Sequence, residues 1–267
     1  MTMNLVARAA SILASATISP VFLSPVFLSL GFLYTSSVAL GGEPEPKIAT
    51  FSVVVCDPET GEVGAAVASM YPAVGKVVPF VKAGAGAFCT QHYSNAEFGP
   101  KALVMLETGM KPEEIITELL RHDPRPEQRQ LGIIDMQGRT ANHNPTQAGK
   151  NSDWWGYTAG KNYAVQGNTL AGREVLVAMA KACEETQGTV GDKLMAALKA
   201  GDDAGGDHRG RLAAGIRVDR PQAARTRSEG EPRRDGVWLA LDVDKSDNAV
   251  NDLLKLYEDW KAKPRDE

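Results

Sequence analysis

The sequence predicts an α+β domain. Three observations carry that prediction: β-branched runs come in pairs joined by turn residues, helical stretches also come in pairs, and the regular strand–helix alternation that builds a parallel sheet is missing. Thr50 to Cys56 is a β-branched run and reads as a strand. Asp57-Pro58-Glu59-Thr60-Gly61 places Pro and Gly where turns favour them, and Val63 to Ser69 returns as a second strand, making a hairpin. Gly84 to Gln91 reads as a third strand, with Gly84 and Gly86 marking a close backbone approach. Pro100 opens a helix that Gly109 ends; Pro112 with Glu113 and Glu114 opens another that reaches Arg121. Arg129 to Asp135 and Thr140 to Asn144 form a hairpin around Gln137-Gly138, and Tyr163 to Asn168 is a further strand. Helices follow over Ala171 to Thr186 and Val190 to Ala200, then strands over Arg211 to Val218 and Val237 to Val243. Asn248 to Lys261 is the closing helix. Its stripe of Val250, Leu253, Leu254, Tyr257 and Trp260 at helical spacing fits domain core or, alternatively, the face of a homo-oligomer.

A chain of 267 residues holds one large domain or two small ones. Apolar residues at 43% and charged residues at 23% are ordinary for a globular protein. The net charge of −4 lacks the basic surplus that nucleic-acid binding requires, so no nucleic-acid partner is expected. Aromatics are scarce at 6% while Gly and Ala are frequent, which favours tight packing of small residues over a stacking surface. There is no repeat of solenoid length. The odd number of cysteines, Cys56, Cys89 and Cys183, argues against a disulfide scaffold; buried free thiols are expected, with a Cys56–Cys89 bridge the alternative.

The N-terminus has the order of an export segment. One Arg, Arg8, precedes a stretch from Ala9 to Leu40 that is apolar or small throughout, and Ser37-Val38-Ala39 puts small residues where a signal peptidase needs them. Cleavage after Ala39 is the first reading; a retained membrane anchor is the alternative, since the run is long, although Pro20 and Pro25 interrupt it. Either way the protein is expected to work outside the cytoplasm, in the periplasm or beyond, touching the membrane only through this segment. Gly41 to Lys47, with Glu43-Pro44-Glu45-Pro46, reads as an extended linker. The stretch from Arg217 to Arg234 holds six arginines among Pro, Ser and Gly; it is either an anion-binding arm or, given its interspersed acidic residues, a long solvated hairpin loop.

Common catalytic signatures are absent: no Gly-x-Ser-x-Gly elbow, no phosphate-binding loop, no His-Glu-x-x-His. His92, His122, His143 and His208 show no metal-site spacing, so neither a metal nor another cofactor is expected. What stands out is polar clusters beside strands: Gln91-His92-Tyr93-Ser94-Asn95 after one strand, Asp153-Trp154-Trp155-Gly156 in a loop, Gln166-Gly167-Asn168 before a helix, and Gly205-Gly206-Asp207-His208-Arg209-Gly210-Arg211 before another strand.

These residues carry a resemblance. Thr50-Phe51-Ser52-Val53-Val54-Val55 with Asp57-Pro58-Glu59-Thr60-Gly61, then Ala73-Val74-Gly75-Lys76-Val77-Val78-Pro79, Ala83-Gly84-Ala85-Gly86-Ala87, Thr90-Gln91, Asn95 and Phe98-Gly99-Pro100 resemble the bacterial family called domain of unknown function 1028 (DUF1028). The likeness resumes at Arg129-Gln130-Leu131-Gly132, Gln166-Gly167-Asn168 and the Gly205 to Arg211 cluster, and spans Thr50 to Asp244. That family is similar in fold to the N-terminal-nucleophile (Ntn) hydrolases, which implies a four-layer αββα sandwich. The implied division is a signal or anchor over 1–39, a linker over 40–49, an Ntn-hydrolase-like domain over 50–245 and a C-terminal helix over 246–267.

The resemblance implies that Thr50 is the nucleophile. A threonine hydroxyl needs a base to take its proton. A free α-amino group, with a pKa of about 7.7–8.0, serves as that base near neutral pH, whereas an internal amide does not. Cleavage after Ala39 leaves Leu40 to Ala49 ahead of Thr50, so a second cut at Ala49–Thr50 is required. By position, Asn95 or Asn168 is placed to donate to the oxyanion, and Asp207 to hold the α-ammonium or orient Arg209. Arg209 or Arg211 is placed to bind a substrate carboxylate, with Ser69 and Gln166 as further substrate contacts. The expected activity is an exported amidohydrolase acting on small amide or peptide-like compounds. Two alternatives stay open: a non-catalytic binding protein of the cell envelope, and a metal-dependent hydrolase using His92, His143, Asp153 or Asp207.

Overall fold

The computed structural model describes residues 50–146, 154–221 and 238–263 together with the backbone of 47–48, all within one compact unit, Glu43–Glu267. The N-terminal stretch read as an export segment, Asp153 and the arginine-rich stretch beyond residue 221 lie outside the described residues.

In chain order the elements are β1 (Lys47–Ile48), β2 (Thr50–Cys56), β3 (Val63–Ser69), β4 (Pro79–Lys82), β5 (Gly86–Tyr93), α1 (Phe98–Glu107), α2 (Pro112–Arg121), β6 (Arg129–Asp135), β7 (Thr140–His143), β8 (Trp155–Gly160), β9 (Tyr163–Asn168), α3 (Glu174–Glu185), α4 (Val190–Asp203), β10 (Ala213–Asp219), β11 (Leu239–Val243) and α5 (Ala249–Ala262). The strands form two antiparallel sheets. One has the order β1-β5-β6-β7 with β4 also paired to β5; the other has the order β11-β10-β3-β2-β9-β8.

β2 and β3 are buried along their whole length, so both faces of the hairpin are packed. Phe51, Val53 and Val55 point to one side, where Met179, Leu194, Leu198 and Tyr257 of α3, α4 and α5 cover them. Val54 and Cys56 point to the other side and meet Ala87, Cys89 and Ile134 of the first sheet. Phe88, Leu131 and Ile133 on the far side of that first sheet pack under Ala102, Leu106, Ile115 and Leu119 of α1 and α2. Strand periodicity of two thus sorts alternate residues into three separate apolar layers. The prevalence of small residues serves this packing: at Gly64 an added Cβ would sit 2.6 Å from Leu194 Cδ1, so the bare backbone lets α4 lie close over the hairpin.

Helix starts follow local chemistry. Thr189 caps α4, its hydroxyl accepting from the Asp192 amide at 3.2 Å while the Asp192 carboxylate accepts from the Thr189 amide at 3.0 Å. Val250, Leu253 and Tyr257 of α5 are buried against the second sheet and α4, and Trp260 packs on Trp238 and Tyr257, so the apolar stripe is domain core.

Four features depart from the sequence reading. Trp155 and Gly156 belong to β8 and not to a loop; this edge strand is only half-buried, so it lacks an apolar alternation. β4 is a four-residue strand opening on Pro79, too short to register as a periodic pattern. The third strand runs from Gly86 to Tyr93, which brings His92 and Tyr93 into the sheet. Lys47–Ile48, read as the end of a linker, pairs with β5.

Candidate active site

The two sheets do not meet through apolar residues alone. On the inner face of β2 the order is Thr50, Ser52, Val54, Cys56, so one end of the interface is polar. Thr50 lies opposite Ser69 of β3 and opposite Asn168 of β9; Ser52 lies opposite Val67 and Gln166. Opposed residues of antiparallel strands share a face with Cβ atoms about 4.5–5.5 Å apart. Ser69, Thr50 and Asn168 therefore stand side by side in one row, with Gln166 in the next. All four are buried.

The facing sheet supplies Gln91 and Gln130, themselves cross-strand partners. The Ser52 hydroxyl donates to Gln91 Oε1 at 2.8 Å, and Gln91 Nε2 donates to Gln130 Oε1 at 2.8 Å. Asn168 Nδ2 donates to the same Gln130 oxygen at 2.9 Å, and Gln130 Nε2 donates to the Gly167 carbonyl and to Asn144 Oδ1, each at 2.8 Å. Gln166 Nε2 donates to Ser52 Oγ at 3.3 Å while its Oε1 accepts from Asn142. The network is made of neutral amides and hydroxyls, which hydrogen bonding can satisfy without desolvating a charge. Gly132 makes it possible: a Cβ there would lie 2.3 Å from Gln166 Oε1, so only glycine lets Gln166 cross to the opposite sheet.

Within this polar layer the Thr50 hydroxyl is buried and has no hydrogen-bond partner. Leaving a buried hydroxyl unpaired costs about 1–3 kcal/mol. The Thr90 hydroxyl is likewise unpaired, but as the neighbour of Gln91 it points to the opposite face of β5, towards the layer beneath α1 and α2. Two backbone outliers flank the row. His92 follows Gln91 with φ 66°, and Thr169 follows Asn168 with φ 57°. A β-branched residue in the left-handed region is strained, and such strain gathers at functional sites. The His92 ring is held by its Nδ1 contact with the Gln128 carbonyl at 2.7 Å, and the Thr169 hydroxyl donates to Asn168 Oδ1 at 3.2 Å.

The loop before β10 closes the same end of the second sheet. The His208 amide donates to the Thr169 carbonyl at 3.1 Å and the Leu212 amide to the Ser69 carbonyl at 2.8 Å. Asp207, fully buried, accepts from the Met70 amide at 3.2 Å and so ties the loop to the residue after Ser69. Its two oxygens also hold Arg209, through Nε at 3.1 Å and Nη2 at 2.8 Å. The Arg209 side chain is 34% exposed. Arg211 is engaged elsewhere, by Asp202 at the end of α4. Asn95 stands apart from the network: its side-chain oxygen accepts from the Glu97 amide at 3.0 Å, and it lines a groove of about 640 Å³ between α1 and α2. The structure thus brings Thr50, Ser69, Gln166 and Asn168 together, sets Asp207 and Arg209 at the same end of the sheet, and places Asn95 and Arg211 in other surroundings.

Compared with known families, residues 50–253 match the family of unknown function DUF1028. The chain belongs to the DUF1028 family. No curated protein matches it. Among solved structures it is similar to the crystal structure of a DUF1028 protein from Silicibacter pomeroyi, with 28% identity, a TM-score of 0.69, and coverage of 80% of this chain and 90% of that one. The DUF1028 match takes in every residue of the polar network, and its first matched residue is Thr50.

Other titratable groups of this DUF1028 chain have structural partners. His143 Nε2 lies 2.8 Å from the Pro126 carbonyl and His92 Nδ1 lies 2.7 Å from the Gln128 carbonyl, so each ring has a backbone partner. Among the described residues no three His, Cys, Asp or Glu side chains are grouped to hold a metal ion. All three cysteines are buried free thiols. Sequence reasoning named Gln166 and Asn168 as site residues but did not assign Ser52, Gln91, Gln130, Asn142 or Asn144 to the site. The usable signal was a polar side chain at alternate positions of otherwise apolar strands, as in Ser52 of β2 and Gln130 of β6.

Proposed function

We propose that the protein is an exported amidohydrolase of the Ntn type, with Thr50 as its nucleophile once the chain has been cut at Ala49–Thr50. In this reading the packing of α1 and α2 on one sheet and α3 to α5 on the other is the four-layer αββα sandwich of those enzymes. The observation that carries the proposal is the Thr50 hydroxyl itself: buried, without a partner, first in its strand, and standing between Ser69 and Asn168. An unpaired buried hydroxyl lowers stability, and such costs persist where function needs them. The strained His92 and Thr169 beside it support the same conclusion.

The chemistry follows from the geometry. The freed α-amine of Thr50 takes the hydroxyl proton, and Oγ1 attacks the substrate amide carbon. An ester forms to Thr50, the C–N bond breaks, and the proton leaves with the departing amine. Water then hydrolyses the ester. Asn168, the cross-strand neighbour of Thr50, donates to the oxyanion. Both oxygens of Asp207 are occupied by Arg209 and the Met70 amide, so in this reading Asp207 orients Arg209 rather than holding the ammonium. Arg209 then offers its partly exposed guanidinium to the substrate.

The test pairs activity with stability. The N-terminal sequence of protein purified from its host should begin at Thr50. On a panel of small amides and peptide anilides, Thr50→Ser should retain turnover and Thr50→Val should lose it roughly a thousandfold or more. Because the hydroxyl makes no hydrogen bond, Thr50→Val should be as stable as the parent in urea unfolding, or more stable by about 1 kcal/mol. A fully active Thr50→Val protein sinks the proposal. A second reading, a non-catalytic envelope binding protein, is favoured by one observation: Lys47–Ile48, just upstream of Thr50, is paired with β5 as part of the sheet. A chain whose Thr50 amine stays blocked in its host would favour that reading.

A further inference from the structure

β5 is longer than the strand that covers its outer edge. β4 pairs with it only from Cys89, opposite Pro79, to Gly86, opposite Lys82. The Thr90 amide makes one more bond, to the Val78 carbonyl at 3.2 Å. Beyond that point β1 takes over, with Lys47 opposite Tyr93 and Ile48 opposite His92. The other edge of this stretch is filled by β6, with His92 opposite Arg129. Two residues that precede Thr50 by only two and three positions therefore continue, along this edge of β5, the strand pairing that β4 leaves off.

We infer that the His92–Tyr93 edge is the subsite for the acyl half of an extended peptide substrate, and that β1 occupies it as such a half would. The inference rests on Thr50 being the nucleophile. β1 pairs with β5 two residues ahead of Thr50, and Gln91 of that same strand donates to the Thr50 carbonyl at 3.4 Å, so this edge lies close to where the chain is cut. A substrate must bring its own carbonyl to the same Oγ1, and the residues before that carbonyl reach the edge that β1 vacates. An uncovered strand edge recognises backbone N–H and C=O groups and tolerates varied side chains. This edge is held independently of its occupant. Arg129, fully buried and paired with Asp123, donates to the Tyr93 carbonyl at 2.7 Å, while the His92 ring is fastened to the Gln128 carbonyl. An edge fixed in advance binds without paying for its own ordering. The substrate class is accordingly a peptide bearing at least two residues before the one whose carbonyl is attacked. The step needs only water: the amide C–N bond breaks, a Thr50 ester forms and is hydrolysed, and a peptide carboxylate and an amine are released.

The experiment measures binding and turnover separately. Full-length protein carrying an enteropeptidase recognition sequence in place of residues 45–49 is folded first and then cut, which leaves Thr50 as the first residue. The unaltered full chain and its Ile48→Pro variant, which disrupts β1 pairing, are compared with it. Acetyl-Lys-Ile-Ala-amide should bind the cut chain at least tenfold more tightly than the unaltered chain, and Ile48→Pro should also gain. N-methylation of the peptide backbone should cost about tenfold at one position or more. Equal affinity for all three chains, or indifference to every N-methylation, overturns the inference. Turnover separates the two readings. Equal kcat/KM on acetyl-Ala-anilide and acetyl-Lys-Ile-Ala-anilide removes the edge subsite and leaves Thr50 as nucleophile; tight binding of the peptide without cleavage removes the nucleophile and leaves the edge.

Discussion

Burial is the largest influence on all three thiols. Desolvation pushes Cys56, Cys89 and Cys183 up to about 12; at Cys56 the charge of Asp135 adds to it, and at Cys89 a hydrogen bond with Ser52 works weakly against it. The thiolate is the reactive form, so at pH 8 none of the three is available. A colourimetric thiol reagent should therefore find no fast-reacting group in the native protein and three after denaturation; one rapid native thiol would mean that a cysteine is more accessible than its packing shows. The sequence reading expected buried free thiols from the odd count and the lack of regular spacing, and the structure agrees. Thr50 is a different case. Its residue type and position could be named from the chain, but that its hydroxyl lacks a partner depends on Ser69, Asn168 and the facing sheet, which are far from it in sequence.

Strands with strong periodicity were legible with nearly their observed limits: β2, β3, β6 and β9 each coincide with an apolar or β-branched run. Those that escaped are short or lie at edges, where pairing is set by a partner and not by a local pattern: β1, β4 and β8. The Gln166 crossing shows the same limit. Gly132 looks like a weak point of a strand, and only the opposite sheet explains it. Gly132→Ala should cost about 1–3 kcal/mol, because the new methyl must displace the Gln166 amide and with it the bonds to Ser52 and Asn142. Urea unfolding should show a lowered midpoint with an unchanged slope. A variant as stable as the parent would show that Gln166 can be accommodated outside the polar layer.

Across the molecule, the C-terminal helix is fastened to the rest by more than its apolar stripe. Lys261 of α5 donates to Asp192 of α4 at 2.7 Å, and the Tyr257 hydroxyl donates to the same carboxylate at 3.1 Å. Burial works to raise the Asp192 carboxyl, but the bonds from Lys261 and Thr189 outweigh it and hold the group below its ordinary 3.8. Lys261 is raised above 10.5 by its bond to Asp192, partial burial working against this. A depressed carboxyl contributes stability that is complete above its ordinary pKa and is lost as pH falls through the folded value. A raised amine contributes below its ordinary pKa and loses that contribution as pH rises through the folded value. The pair should thus stabilise the fold between about pH 4 and pH 10. Asp192→Asn should unfold at lower urea than the parent at pH 7, and the gap should narrow at pH 3. A gap of constant size would mean that the cap on α4, and not the charge, is what Asp192 supplies.

The sequence by itself determined the α+β class, most element limits, the family likeness and the polar clusters, because these depend on local periodicity, turn chemistry and short motifs. Tertiary structure decided what those clusters become. Gln91, Gln130, Gln166 and Asn168 form one network only because two sheets are stacked with their polar ends in register. Asn95, which also follows a strand, instead has its side-chain oxygen bound to the Glu97 amide just ahead of α1. Whether an amide in a strand is a cap, a buttress or part of a site depends on what faces it across about 10 Å of interior, the spacing of stacked sheets. That distance is set by packing between segments remote in sequence, which no local pattern in the chain records.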